Sequence, residues 1–460
     1  MDRTQGPASR HAAPAQRPHV AQEERPGLDG SAAPRPRVAI LINNPYVADS
    51  RVWKIATSLG AEGYQVTVIA REGAGRPARE ERGGHRIVRV TQPRPLARLP
   101  VPALPGAGAA PDGGPSSVTG RIGGRLRDTV GRGLQAGRFL LLTRAWARAI
   151  DDAIGPADVW QAESIITLPL AVALRRRHGG IVVYDANDID TESGRFARLP
   201  SRWRALLRRR ERSLSRQVDA LLTVSEPYAD ILSRMLRRPV TAIVRNGPPR
   251  FEPPAKPERR FHHRFKLDPE TRVVLYLGQV MDGRGITELF TAIALVDRAV
   301  LVVAGFGPDY ERYRAAAAAS PQADRIIFME GVVPEEIPAW NASADVSVMP
   351  VQPDTLNHRY NTPTKLFDAM GAGVPVVASD LPGIRPIVTA TGCGELCDPT
   401  DAADIARAIR KVIDAAPAER DAYRERCLAA ARGEYGWEHQ AQTLMRVYDS
   451  LGVARPVARL

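Results

Sequence analysis

The sequence predicts an α/β protein built from two doubly wound domains in tandem. The length of 460 residues exceeds what one hydrophobic core usually supports. Short apolar runs of strand length alternate with helical stretches along most of the chain. The alternation stops at Asn246-Gly247-Pro248-Pro249 and then starts again, which is typical of a hinge between two domains.

The first series of elements predicts an N-terminal domain over residues 37–247. Residues 1–36 are polar and Pro-rich, and we expect them to be disordered. The first helix is predicted from Asp49 to Glu62, because Val52, Ile55 and Leu59 share one face. The predicted strands are residues 37–42, 65–70, 85–90, 158–162, 180–185, 220–224 and 241–244.

The second series predicts a C-terminal domain over residues 248–433. Its predicted strands are residues 273–277, 299–304, 325–329, 346–350 and 374–378. Ligands of such sheets bind beyond the carboxyl ends of the strands, so we expect a site in a cleft between the domains. An amphipathic helix follows within residues 434–460, and we expect it to return to the N-terminal domain.

Two basic patches carry the net charge of +13. Residues 91–150 hold nine Arg and two Asp, and residues 201–216 hold seven Arg and one Glu. Such patches attract the phosphates of nucleic acids or lipids, and no nucleic-acid-binding module is recognisable. Residues 91–137 form a Pro/Gly-rich basic insertion that is predicted to be flexible, or to become ordered on an anionic surface.

The composition also indicates the cellular compartment. Three cysteines, Cys393, Cys397 and Cys427, argue for a reducing compartment and against a disulfide scaffold, and no further ligands complete a zinc set. No run approaches the ~20 apolar residues of a membrane span, and the start has no apolar core of a signal peptide. We expect a cytoplasmic protein, with peripheral binding to the inner face of the cell membrane as an option.

The stretch NTPTKLFDAMG predicts an anion site at a helix start. Thr364, Lys365 and Leu366 would open the helix with free backbone N–H groups, and Lys365 adds a full positive charge. Asp368 lies one turn further and would accept hydrogen bonds from a diol such as a ribose. The alternative is an ordinary Lys–Asp pair on a solvated helix face, and the spacing alone does not decide between the two.

Two further stretches in the same domain favour the phosphate interpretation. LYLGQVMDGRGITEL places Arg284 before a helix, after a strand that ends in Gly278. VVAGFGP is a second Gly-rich loop, in which Gly305 and Gly307 permit a close approach of the backbone.

These motifs, in this order, resemble the nucleotide-binding domain of retaining GT-B glycosyltransferases of the family 4 type (glycosyl transferases group 1). FMEGVVPEEIPAWNASADVSVMPV and PTKLFDAMGAGVPVVASDLPGI continue the resemblance. In the first half, NNPYVADSRVWKIATSLGAEGYQVTVIA, VDALLTVSEPYADIL and VRNGPP also match, so the resemblance covers roughly residues 37–450. It implies two Rossmann-like domains that face each other across a cleft.

The resemblance implies a reaction and a set of site residues. A sugar would move from a UDP-, GDP- or ADP-sugar to a glycan, lipid-linked or small-molecule acceptor, with retention and without a metal. Arg284 and Lys365 would hold the diphosphate, Asp368 the ribose, and the backbone at Val332 and Val333 the base. The other expected contacts of the nucleotide are Gly278, Gln279, Gly305, Gly307, Thr364 and Leu366. The expected catalytic residues are Arg284, Lys365 and Asn187.

The sequence also departs from the family pattern. Tyr360 stands at the first acidic position of the E-x7-E motif, and Gln279 stands where many members have a basic residue. Asn187 and Asp188 take the places of a His-Glu pair. Tyr360 and Asn187 therefore leave a degenerate nucleotide-binding partner without activity as an alternative. A nucleotide-sugar 2-epimerase, which uses a similar two-domain fold, is another, although the few His residues disfavour its acid/base chemistry. Asp188-Ile189-Asp190 is also a D-x-D sequence, which in another transferase class holds a divalent cation.

Overall fold

The computed structural model describes residues 35–47, 49–91, 142–254 and 258–453. The predicted disordered start and nearly all of the predicted basic insertion lie outside these residues. From Arg35 onward the described chain forms one compact unit that contains two sheets, each with helices packed around it. The prediction of a two-domain α/β protein is therefore confirmed.

Within the described residues, the N-terminal sheet has eight strands. They are β1 (Arg37–Leu41), β2 (Gln65–Arg71), β3 (Arg79–Arg82), β4 (His85–Val90), β5 (Val159–Ala162), β6 (Ile181–Asp185), β7 (Ala220–Thr223) and β8 (Ala242–Ile243). The spatial order is β3-β4-β2-β1-β5-β6-β7-β8, and all pairings are parallel except that of β3 with β4. The sequence analysis missed β3, because its Arg-Glu-Glu-Arg sequence has no apolar residue and only its pairing with β4 makes it a strand.

Helices cover the N-terminal sheet and connect its strands. The described helices are α1 (Ser50–Ala61), α2 (residues 142–154), α3 (Leu168–His178), α4 (Gly194–Ala197), α5 (Ser201–Ser215) and α6 (Glu226–Leu236). A short 3-10 helix, Asp190–Glu192, follows β6. Asp49 caps α1 by accepting a hydrogen bond from the Val52 backbone N–H, so this helix begins close to the predicted position.

Six parallel strands form the C-terminal sheet in the described part of the chain. They are β9 (Arg272–Gln279), β10 (Ala299–Phe306), β11 (Ile326–Glu330), β12 (Val346–Met349), β13 (Val376–Ser379) and β14 (Gly394–Cys397), in the order β11-β10-β9-β12-β13-β14. The sequence analysis missed β14, a half-buried strand at the edge of the sheet. The interior strands β9, β10 and β12 are largely buried, as their apolar runs predict.

The helices of the C-terminal domain place the residues of interest at one edge of this sheet. They are α7 (Arg260–Phe265), α8 (Ile286–Ala294), α9 (Tyr310–Ala318), α10 (Ile337–Asn341), α11 (Leu356–Tyr360), α12 (Thr364–Gly371), α13 (Arg385–Thr391), α14 (Ala402–Ile413) and α15 (Pro417–Arg432). Short 3-10 helices lie at Ala323–Arg325 and Pro334–Glu336. Helices α8 and α12 both begin beyond the carboxyl ends of strands.

The last described helix, α16 (Trp437–Ser450), packs on the N-terminal sheet. Trp437, Leu444 and Tyr448 belong to the apolar cluster that contains Val38 and Ile40 of β1. The Tyr448 hydroxyl donates to Gln161 Oε1 at 2.6 Å. The chain therefore passes between the domains twice, once after β8 and once before α16.

The two passages are packed against each other. A Cβ on Gly247 would lie 2.3 Å from the Tyr435 carbonyl oxygen, so only glycine permits this contact. The buried Lys54 ammonium, from α1, donates to the carbonyl oxygens of Asn246 and Gly247 at 3.1 and 2.6 Å, and it lies 5.1 Å from the centre of the Trp437 ring. These contacts tie both passages to α1.

Among the described helices, none combines the length and the apolar character needed to cross a bilayer.

Candidate functional site

Two cations lie close together at the carboxyl edge of the C-terminal sheet. Lys365 is the second residue of α12, and its Nζ lies 3.7 Å from the centre of the Tyr276 ring on β9. A Cβ on Gly278, which has φ 140°, would lie 3.2 Å from this Nζ. Burial and the nearby Arg284 guanidinium lower the pKa of Lys365 well below its usual range, and Asp368 partly opposes them.

Arg284 lies in the loop between β9 and α8, next to Gly283 and Gly285, which both have positive φ. Its Nε is buried and has no hydrogen-bond partner in the described part of the chain. Among the described residues, neither Arg284 nor Lys365 takes part in an ion pair. Two neighbouring cations that form no salt bridge in the described part of the chain make a site suited to an anion such as a diphosphate.

Asp368 lies one turn further along α12 and faces the N-terminal domain. Burial raises its pKa to about 6, against the opposing effect of Lys54 and Lys365. The pKa of Lys54 shifts in the opposite direction. Burial lowers it to about 8, against the opposing effect of Asp368. The carboxylate of Asp368 is thus held between two cations at the place where the passages between the domains meet.

The other expected residues of α12 differ in what they can contact. Thr364 is half-buried at the helix start. Leu366 is fully buried in the apolar cluster under the helix, and its backbone N–H already donates to the Pro363 carbonyl oxygen at 3.0 Å. The structure therefore leaves neither the side chain nor the N–H group of Leu366 free for a ligand.

Gly305 and Gly307 have a role within the fold. A Cβ on Gly305 would lie 1.8 Å from the Gly278 carbonyl oxygen, and one on Gly307 would lie 2.1 Å from that of Val280. These glycines let the loops after β9 and β10 pack against each other, which accounts for both of them without a ligand. The neighbouring Gln279 has an exposed side chain, and its carbonyl oxygen accepts from the Tyr276 hydroxyl at 2.5 Å.

An exposed apolar surface lies at the carboxyl ends of β10 and β11. Val333 is 56% exposed and Phe306 is 54% exposed, while Val332 is partly buried. A planar base could pack on such a surface. The sequence analysis found Val332 and Val333 but missed Phe306, whose signal is an aromatic residue between the two glycines of the second Gly-rich loop.

The N-terminal domain contributes the loop after β6. Asn187 is half-buried there. The Asp188 Oδ1 accepts from Asn357 Nδ2 at 3.1 Å, and the Asp190 Oδ2 accepts from the Ile165 backbone N–H at 2.7 Å. In the described residues, no group of three or more His, Cys, Asp or Glu side chains is arranged to hold a metal ion.

Asn357, which the sequence analysis missed, joins the domains. Its Oδ1 accepts from the Ile189 backbone N–H at 3.1 Å and from the Tyr228 hydroxyl at 2.5 Å. On the same short helix, Leu356 and Tyr360 pack against the apolar cluster of the N-terminal domain. Tyr360 is therefore part of the contact between domains, which explains an aromatic residue at this position in physical terms.

The two Rossmann-like α/β domains together define a protein of the GT-B class. A family model described as "Glycosyl transferases group 1" matches residues 271–415, and one described as "Glycosyl transferase 4-like domain" matches residues 48–247. The chain belongs to this family of glycosyltransferases, as the resemblance of its motifs predicts.

Relatives and solved structures agree with this family. The chain is 31% identical over 169 residues to the GDP-mannose-dependent alpha-(1-6)-phosphatidylinositol monomannoside mannosyltransferase of Mycobacterium tuberculosis, across 36% of this chain and 44% of that protein. It is 29% identical over 274 residues to the 2-deoxystreptamine N-acetyl-D-glucosaminyltransferase of Streptomyces fradiae, across 56% and 61%. The chain thus spans about half the length of these curated relatives.

A solved structure of HepE from Anabaena, in complex with UDP and glucose, superposes with a TM-score of 0.66. The sequences are 13% identical, and the match covers 90% of this chain and 100% of that one. At this identity the likeness shows a shared fold.

Asp368→Asn should weaken the binding of a nucleoside diphosphate by about 1–3 kcal/mol, because a charged hydrogen-bond acceptor for the ribose is lost. The variant should also be no less stable than wild type at pH 7 to 8. The raised pKa of about 6 means that ionisation of the Asp368 carboxyl lowers the free energy of unfolding as the pH rises from about 4 to 6. An amide does not ionise, so the variant does not lose this free energy. Calorimetric titration and thermal unfolding measure both effects. Asp421→Asn, at an exposed position on α15, is the control, and an unchanged affinity of Asp368→Asn would contradict the ribose contact.

Proposed function

We propose that the protein transfers a sugar from a nucleotide-sugar to a glycan, lipid-linked or small-molecule acceptor. The observation that carries this proposal is the pair of neighbouring cations, Arg284 and Lys365, which form no salt bridge among the described residues. A diphosphate at this place would relieve their mutual repulsion and gain charge-assisted hydrogen bonds. The name of the Anabaena structure, which holds UDP and glucose, supports a nucleotide-sugar as the ligand.

The rest of the donor would extend away from these cations in two directions. Asp368 would accept hydrogen bonds from the ribose, and the exposed surface of Phe306, Val332 and Val333 would contact the base. Gly278, Gln279 and Thr364 would line the diphosphate between them. The sugar would then face the loop after β6, where Asn187 would contact it.

The chemical step would be the departure of the nucleoside diphosphate from the anomeric carbon. Negative charge grows on the leaving phosphate. Arg284 and Lys365 would stabilise this charge, and neither side chain would have to move during the reaction. Two cations in place reduce the need for a metal, and Asp188 and Asp190 already accept hydrogen bonds from protein groups. We propose transfer with retention and without a resident metal, as in the family that the motifs resemble.

The acceptor would bind against the N-terminal domain, and α5 supplies a surface for it. Arg202, Leu206 and Arg209 lie on one face of this helix and are exposed, with Leu206 at 48%. Arg204 and Arg208 instead bind Glu192. An exposed face with leucine and arginine suits an anionic lipid surface, so we propose a lipid-linked acceptor and peripheral membrane binding through the two basic patches.

Two other functions remain as alternatives with distinct outcomes. A degenerate nucleotide-binding partner is suggested by Tyr360 and Asn187, and it would bind donors without turning them over. A 2-epimerase would need no acceptor and would invert the configuration at C2 of the sugar, whereas slow hydrolysis of the donor by a transferase leaves C2 unchanged. Both family models and the curated relatives are glycosyltransferases, which favours transfer.

A screen of UDP-, GDP- and ADP-sugars by thermal unfolding should reveal at least one stabilising donor. A ligand at about a hundred times its Kd adds about 2.7 kcal/mol to the free energy of unfolding. The stabilising donor should then be hydrolysed slowly without an acceptor, which a release assay for the nucleoside diphosphate detects. Stabilisation without any release would favour the non-catalytic partner, and no stabilisation by any of the three would contradict the proposed donor class.

Arg284→Ala and Lys365→Ala should each lower turnover more than they lower nucleoside affinity, because the charge they meet grows in the transition state. Turnover should persist in EDTA. Steady-state kinetics with the donor found in the screen measure this. Arg314→Ala and Lys411→Ala remove exposed, ion-paired cations of the same domain and are the controls. Strict dependence of turnover on a divalent cation would contradict the proposal and would favour a metal site at Asp188 and Asp190.

Replacing Arg202 and Arg209 by Glu should greatly reduce co-sedimentation with phosphatidylglycerol-containing vesicles. Each basic residue near an anionic surface contributes about 1 kcal/mol, so binding should also fall at high salt. The double variant Arg314→Glu with Arg407→Glu changes the net charge equally in the C-terminal domain and should still pellet. Wild-type protein that stays in the supernatant at low salt would show that the acceptor is not reached through a membrane.

A further inference from the structure

A histidine–aspartate pair lies just before α12, with His358 on α11 and Asp354 in the turn that precedes it. His358 Nδ1 donates to Asp354 Oδ1 at 2.6 Å, and the His358 backbone N–H donates to Thr355 Oγ1 at 3.0 Å. The Asp354 side chain is half exposed, whereas that of His358 is only 13% exposed. This arrangement fixes the tautomer of the imidazole and leaves Nε2 as the nitrogen that can gain or lose a proton.

The pair lies directly against the loop that carries Arg284. A Cβ on Gly283 would lie 2.6 Å from Asp354 Oδ2 and 3.0 Å from His358 Cε1, so the absence of a side chain at Gly283 lets the loop cross the pair. The neighbouring Asn357 holds the helix of His358 to Asp188 and Ile189 of the other domain. His358 is thereby placed beside both the anion site and the loop after β6.

Three charged groups face the imidazole, each from a different segment. Arg284 comes from the loop after β9, Asp354 from the turn that precedes α11, and Asp188 from the N-terminal domain. Burial lowers the pKa of His358, Arg284 lowers it further, and Asp354 and Asp188 oppose this. Without a ligand, burial and Arg284 therefore favour the uncharged imidazole.

We propose that His358 is a further donor-binding residue, which takes up a proton when a nucleotide-sugar binds and then donates Nε2–H to an oxygen of its diphosphate. This inference rests on the proposed function. The two negative charges of the diphosphate offset the field of Arg284 and favour the imidazolium. The proton comes from solvent and stays on His358 while the bond from the sugar to the phosphate breaks, so the imidazolium also stabilises the leaving group.

Proton uptake on donor binding tests this proposal. UDP-glucose and GDP-mannose are suitable probes because each of their phosphoryl groups carries one charge that does not titrate between pH 5 and 8. Calorimetric titration at pH 7 in two buffers with different ionisation enthalpies counts the protons taken up. Lys54, Lys365 and Asp368 also titrate near this site, so the informative quantity is the difference between wild type and His358→Gln.

Wild-type protein should take up a larger fraction of a proton than His358→Gln. The affinity ratio of the two proteins should be near one at pH 8 and should grow as the pH falls, by at most about tenfold per pH unit for one linked proton. His178→Gln is a matched control, because His178 donates to Asp151 at 2.5 Å in the N-terminal domain, on α3. Its proton uptake should equal that of wild type.

A second measurement does not need the variant to fold. The Cε1–H resonance of His358 in wild-type protein should titrate at a higher pH with the donor than without it.

Asp354→Asn should reduce the proton uptake while the donor still binds. Equal uptake by wild type and His358→Gln, or an unmoved resonance, would overturn the inference and leave the proposed donor class intact. If wild type binds neither probe, the proposed donor class fails for these sugars and the inference fails with it.

Discussion

The repulsion between Arg284 and Lys365 is the constraint around which the C-terminal domain is organised. Two partly desolvated cations that form no salt bridge among the described residues cost free energy, and the fold offsets part of that cost. The Tyr276 ring lies against the Lys365 ammonium, and Asp368 stands one turn along the same helix. The rest of the repulsion between the two cations is not offset within the protein, and a bound anion would offset it. The fold is therefore less stable at the place where a ligand would bind.

The contact between the domains uses the same groups. Lys54 of the N-terminal domain binds the backbone of the first passage and faces Asp368 of the C-terminal domain. Arg51, one turn earlier, binds the buried Asp185 carboxylate through two hydrogen bonds of 2.8 Å. It also donates to the Val244 carbonyl oxygen and to Asn246 Oδ1. The start of α1 therefore holds both the N-terminal sheet and the chain that leaves it.

The short helix α11 makes a second contact between the two domains. Asn357 makes hydrogen bonds to two segments of the N-terminal domain, and Leu356 and Tyr360 pack on its apolar cluster. In the resembled family pattern, Tyr360 stands where a carboxylate is expected. A carboxylate here would be partly buried against apolar side chains, at a cost that an aromatic ring does not incur. The departure from the pattern thus has a physical cause in the contact between the domains.

The sequence by itself determined the two sheets, the division near Asn246-Gly247 and the cations of the anion site, because apolar periodicity, Gly and Pro are local signals. It missed β3, whose side chains are all polar, and β14, which has only four residues, because each is a strand only through its pairing at a sheet edge. Tertiary structure alone decided that Gly305 and Gly307 serve loop packing, and that Leu366 is buried. It also decided that Asn357 and His358 meet Asp188, since these residues are about 170 positions apart and no local pattern links them.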